Sequence, residues 1–293
     1  MTDRQKALLS ITLASFLGGA TSSVTKIGLV QIPPLSFAFL RFFIASLFVI
    51  LFVFKTKKIL NMLKDFISLS PVSLFATVNI ILFVIGIKTT TATIGQLLYA
   101  GTPLFTSLIA YILLKEKLNF QKIIGVILGF IGVCVIVFLP IIQKGEAFSG
   151  DLKGNFLIGM AVISWSFYMV FSAKAQKKYS PFEVVSMFIF LTTVILFPFF
   201  LADLNSNYGW WVFLNFKSVI SIFYTALIAT VFPFLLNQYA IKHGGSVFAS
   251  TVQYLNPIFA FLAAFFLLGE RLTLGVIIGA LLALLGVFFV TRK

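Results

Sequence analysis

Long apolar runs, each closed by a few polar or helix-breaking residues, alternate along the whole chain. A helix that crosses the hydrocarbon core of a bilayer needs about 20 mostly apolar residues, because no water is present there to satisfy its backbone. Ten runs meet that test, at about 7–29, 34–54, 70–88, 92–114, 119–139, 155–174, 182–201, 217–241, 246–268 and 273–291. Between them stand Pro33-Pro34, the lysines from Lys55 to Lys64, Lys115-Glu116-Lys117, the polar stretch Gln143 to Asn155, and Glu270-Arg271. The pattern predicts an all-α polytopic membrane protein with ten transmembrane helices.

The pattern also repeats. Pro103, Glu116, Gly125 and Gly132 recur as Pro257, Glu270, Gly279 and Gly286, each 154 positions later. Further upstream Lys26 pairs with Lys174 and Pro33 with Pro181 at an offset of 148, so six residues have entered the second copy in between. Two units follow, residues 1–140 and 155–293, joined by an outer linker at 141–154. Each holds five spans, an odd number, so the second crosses the membrane in the opposite sense. Inverted repeats of this kind enclose a central cavity, with the substrate site near the midplane where the halves meet.

Composition sharpens the class. Hydrophobic residues make up 60% and charged residues 10%, against about 25% charged in an ordinary soluble domain. A net charge of +14 would suggest nucleic acid in a soluble protein. Here the bases cluster between apolar runs, so no nucleic-acid partner is expected. With the N-terminus in the cytoplasm, 15 Lys and Arg fall inside, six fall outside, and Arg41 lies within the second span; the bias places both termini inside. The basic start followed by Gly18 to Ala20 imitates a signal peptide, but the apolar run continues to Val30, so a retained first helix is expected. A single Cys134, read as a small core residue, and a single His243, read as a surface residue, support neither a disulfide framework nor a Cys/His metal site. No phosphate loop, zinc motif or nucleophile elbow occurs, so catalytic residues, metal and cofactor are all expected to be absent.

The candidate chemistry lies inside the spans. Gln96, Tyr99 and Pro103 share one helical face, and their repeat counterparts Ser250, Gln253 and Pro257 share another. Asn256 flanks the second face and pairs with Thr102. The two prolines each remove an intrahelical hydrogen bond and are predicted hinges. Asn79, Trp165 and Tyr168 complete the predicted substrate-binding set, the two aromatics forming a wall, while Ser164 is a further polar group at middle depth and Tyr224 lies nearer the outer side. The competing reading is polar bonding that only holds helices together. Arg41, about 10 Å below the outer end of its span, reads as an anchor that snorkels outward or pairs within the bundle, since its counterpart is Ile189. Glu116 and Glu270, each followed by a base, predict local ion pairs or a gate; Glu183 is the remaining carboxylate that proton coupling could use. Gly125, Gly129 and Gly132 match Gly279, Ala283 and Gly286, which predicts close helix packing within the chain. A monomer is therefore favoured, with a homodimer as the alternative.

The signature Pro103…Leu114-Lys115-Glu116-Lys117…Gly125…Gly132, its second version at Pro257…Leu268-Gly269-Glu270-Arg271…Gly279…Gly286, and Arg41 resemble the EamA family of the drug/metabolite transporter (DMT) superfamily, over about residues 8–291. The resemblance implies a ten-helix inverted-repeat fold whose cavity is lined mainly by helices 1, 3, 4, 6, 8 and 9, and export of amino acids or other metabolites, with uptake in some members. Lys115 departs from the glycine that usually precedes the glutamate, and Leu17-Gly18 from a common Trp-Gly. The expectation is a secondary transporter, an exporter of small metabolites such as amino acids, working by alternating access among the lipids of a prokaryotic cytoplasmic (inner) membrane. The competing readings are an uptake carrier for a small amphipathic or cationic metabolite, a non-transporting scaffold or receptor, and a lipid-modifying enzyme.

Overall fold

The computed structural model describes residues 1–56, 65–116, 119–144, 151–205, 209–268 and 274–292. The helices are α1 (Asp3–Gly18), α2 (Thr21–Gly28), α3 (Pro34–Thr56), α4 (Phe66–Thr89), α5 (Ala92–Tyr99), α6 (Thr102–Leu114) and α7 (Phe120–Lys144) in the first part. In the second they are α8 (Leu152–Ala175), α9 (Pro181–Asn205), α10 (Phe216–Phe223), α11 (Phe232–Gly244), α12 (Ser246–Ser250), α13 (Val252–Leu268) and α14 (Leu274–Thr291). Tyr224–Val231 is a π-helical segment joining α10 to α11.

Several helices start where a short polar side chain satisfies a free N–H group of the first turn. Thr91 Oγ1 accepts from Ile94 N, Asp151 Oδ2 from Gly154 N, and Asn215 Oδ1 from Ser218 N. At α9, Ser180 and Glu183 form a reciprocal cap. The carboxylate considered for proton coupling is thus engaged at a helix N-terminus.

Among the described residues, Asp3–Gly28, Pro34–Phe52, Phe66–Thr89, Ile94–Leu114, Leu152–Ala175, Pro181–Asn205 and Phe216–Gly244 are long and apolar enough to cross a membrane, and Phe120–Val135 and Ile277–Thr291 are shorter apolar helices. Phe16, Leu47, Leu108, Ile112, Val194 and Leu281 are all exposed. Apolar side chains on that scale suit hydrocarbon, not water. The protein is an all-helical polytopic membrane protein.

The most extensive helix pairings are α7 with α14, α4 with α8, α1 with α11, and α3 with α9. Small residues permit the closest of them. A methyl group added at Gly125 would lie 2.8 Å from the carbonyl oxygen of Gly286, and one added at Gly86 would lie 2.9 Å from that of Gly154. The Gly125, Gly129 and Gly132 stripe is therefore occupied within the same chain, by α14 at Gly125 and Gly132 and by the Tyr254 ring of α13 at Gly129.

Polar contacts collect at two ends of the bundle. At one, Lys26 Nζ donates to Thr90 O at 2.5 Å, Ser36 Oγ to Asp203 Oδ2 at 2.5 Å, and Ser218 Oγ to Gln31 Oε1 at 2.7 Å. At the other, Asp65 Oδ1 accepts from Lys178 Nζ at 3.0 Å and from the Tyr179 hydroxyl at 2.9 Å.

Three predicted spans are interrupted. The first breaks at Gly19-Ala20, the fourth at Ala100-Gly101, and the ninth at Thr251. Pro103 sits in the first turn of α6, where its missing N–H costs no helical bond, whereas Pro257 lies inside α13. The two prolines expected as matching hinges thus occupy different positions relative to their breaks.

Candidate functional site

A polar-lined hollow lies in the middle of the bundle, an empty volume of about 900 Å³ bounded by α1, α2, α3, α4, α5, α8, the π segment, α11 and α13. Asn79, Gln96, Tyr99, Trp165, Gln253, Asn256 and Pro257 all line it. Asn79 is fixed by two bonds: its Nδ2 donates to the Tyr99 hydroxyl at 2.6 Å and to the Ala161 carbonyl at 2.8 Å. This spends the amide on tying α4 to α5 and α8, and it orients the phenol. Across the cavity Asn256 Nδ2 donates to Gln253 Oε1 at 2.8 Å, a bond within α13 that leaves Gln253 Nε2 and Asn256 Oδ1 for a ligand. Phe83 meets the Tyr99 ring edge-on at 5.7 Å, and Trp165 packs against Phe234 at 5.6 Å, giving the cavity apolar walls.

The other candidates lie elsewhere. Tyr168 stacks behind Trp165 at 4.8 Å and is fully buried, so it supports the wall without lining it. Pro103, Thr102 and Ser250 are buried away from the cavity. Ser164 donates to the Phe75 carbonyl at 2.7 Å and Tyr224 to the Leu17 carbonyl at 2.9 Å, both as ties between helices. Glu116 Oε1 accepts from Ser246 Oγ at 3.5 Å, next to the turn at Gly245; its neighbour Lys117, and Glu270 with Arg271, lie outside the described residues. His243 Nδ1 lies 3.9 Å from Asp3 Oδ2 and its ring stacks on Tyr239, consistent with a position at the bundle end.

Two further residues line the cavity. Of the two courses expected for Arg41, snorkelling outward or pairing within the bundle, the structure shows the second. Arg41 is 2% exposed, faces the cavity, and its Nε donates to Thr230 Oγ1 at 2.6 Å. Thr230 can meet it because the π segment carries Thr230 Oγ1 onto the Thr225 carbonyl five residues back, a register that an α-helix would not give. Asn237 of α11 also lines the cavity and is 5% exposed; its Oδ1 has no partner among the described residues. An amide within an apolar span is the signal that marks it. Gly18 lines the cavity too, while Leu17 contributes only its carbonyl.

Comparison with known proteins places this architecture. The EamA-like transporter family matches residues 5–138 and 152–292. An uncharacterized transporter of Archaeoglobus fulgidus is 28% identical over 298 residues, covering 100% of this chain and 99% of the relative. A probable amino-acid metabolite efflux pump of Escherichia coli is 26% identical over 302 residues, covering 97% and 94%. A solved structure shares the fold with a TM-score of 0.77 at 17% identity, covering 97% of this chain and 96% of that one. With both halves of the sequence matched and the relatives spanning nearly all of it, the chain belongs to the EamA-like transporter family.

Proposed function

We propose that this protein is a secondary transporter that exports small metabolites such as amino acids by alternating access, with ten transmembrane helices in two inverted five-helix repeats, residues 1–140 and 155–293, in a prokaryotic cytoplasmic membrane. The observation that carries the reading is the central cavity, to which α5 brings Gln96 and Tyr99 and α13 brings Gln253 and Asn256, with Tyr99 and Gln253 at repeat-related positions. The helix pairings support the inverted arrangement. Under the repeat offset α7 corresponds to α14 and α3 to α9, and the pair α4 with α8 exchanges with α1 with α11. A pseudo-two-fold axis produces such self-paired and exchanged contacts. The name of the Escherichia coli relative supports amino-acid metabolites and the outward direction.

The test is transport by purified protein in liposomes preloaded with radiolabelled amino acids. Gln253→Ala and Tyr99→Ala are each expected to reduce flux at least tenfold, the loss of one or two ligand hydrogen bonds, while melting and gel-filtration profiles are retained. Wild-type flux in both variants would remove the cavity as the transport site.

A further inference from the structure

We infer that the cavity selects substrates carrying a carboxylate, held by Arg41, so that the transported class is amino-acid zwitterions and small organic monoanions. The inference rests on the transport reading and deepens it. Arg41 is 98% out of solvent reach, and no Asp or Glu pairs with it among the described residues. Its hydrogen bonds go to neutral acceptors, Nε to Thr230 Oγ1 at 2.6 Å and Nη2 to the Ala229 carbonyl at 3.4 Å. These orient the guanidinium, and its charge remains uncompensated. A buried charge without a counter-ion is expensive, and in a membrane protein it marks a substrate or ion pathway.

The rest of the lining says which anion. The described side chains around the cavity include no carboxylate, so a cation has no counter-charge there, and a substrate of net positive charge would face Arg41 unscreened. One guanidinium offers a planar fork that matches one carboxylate. A doubly charged phosphate would call for a second base, and none lines the cavity among the described residues. Asn237 Oδ1, buried and without a partner among the described residues, is an acceptor for an ammonium or amide group on the same molecule. Trp165 and Phe83 offer apolar surface to its side chain. The repeat counterpart of Arg41 is Ile189, fully buried in the core, so the charge comes from one half only and fixes which way round a substrate sits.

The experiment is a thermal-shift and equilibrium-binding screen on detergent-purified full-length protein, using the proteinogenic amino acids, small monocarboxylic acids, and the carboxamide of each. Acids are expected to stabilise the protein and their amides to bind at least tenfold more weakly. Arg41→Gln should remove that preference, and Arg41→Lys, which keeps the charge but loses the fork, should retain part of it. Equal binding of acid and amide by the wild type, stabilisation only by amines, or no response to any acid would each overturn the inference. The wild-type comparison decides even where Arg41→Gln fails to fold. Flux of neutral or cationic solutes without preference for acids would overturn the anion subsite and leave transport standing; acid binding without flux would uphold the subsite and overturn transport.

Discussion

Lys115 closes α6 with φ 53° and ψ 33°, the left-handed region that costs a residue with a Cβ about 1–2 kcal/mol and glycine little. The equivalent position in the second half is Gly269, and the chain carries the costlier residue only in the first. Lys115→Gly is expected to stabilise the protein by about 1 kcal/mol, seen as a higher melting temperature; an unchanged or lower one would mean that the lysine side chain contributes more than its backbone costs. At this scale the sequence was partly readable. Asn79, Gln96, Tyr99, Gln253 and Asn256 announce themselves as amides and a phenol in apolar surroundings, and the structure gathers them around one hollow. Arg41 was visible as a charge, but its direction was not, because Thr230 reaches it only through the π register of α10 to α11. Asn237 carried the same signal as Asn79, and the difference between a tie and a lining group is set by neighbours that sequence spacing cannot show.

At the level of helices, the approach of α7 and α14 leaves no room for side chains. A methyl group at Gly286 would lie 2.5 Å from the Gly129 Cα and 2.7 Å from the Gly125 carbonyl oxygen, whereas one at Gly159 of α8 meets nothing within 4 Å. Gly286→Ala is therefore expected to destabilise by about 3 kcal/mol, the cost of overpacking against backbone. Gly159→Ala should stabilise by about 0.5–1 kcal/mol through helix propensity alone. Paired melting curves check the contrast, and similar shifts for the two would mean that the helices can separate cheaply. The positions of the helices were legible because a bilayer demands a minimum apolar length. Their interruptions were not: Pro103 and Pro257 look alike in sequence, yet the chain breaks two residues before the first and continues as a helix through the second.

For the molecule as a whole, polar contacts at the two ends hold the bundle where lipid gives way to water. Asp65 lies at one end, and hydrogen bonds from Lys178 and Tyr179 hold its carboxyl below the usual carboxylate range; bonds to Tyr179 and Asp65 raise the Lys178 amine above its usual value. The acid's contribution is complete above the ordinary carboxylate pKa and is lost as pH falls through the depressed one. The amine's contribution is complete below the ordinary lysine pKa and is lost as pH rises through the elevated one. Asp65→Asn should thus melt lower than wild type at neutral pH, with the gap closing toward both extremes. A gap that is constant with pH would mean that the residue acts through packing.

The division of the first span at Gly19-Ala20 has a mechanical corollary. Below the joint, Ser15 Oγ grips the Val252 carbonyl of α13 at 3.1 Å. Above it, Gly28 nestles between Phe37 and Ser221. Two short rods meeting beside the hollow give the chain different partners on either side of the joint: the lower rod packs chiefly on α11, bonds to α13 and has its Leu17 carbonyl held by Tyr224, while the upper packs on α10. One run of polypeptide is thereby fastened to separate helices at its two ends, and the joint between them stands at the rim of the hollow.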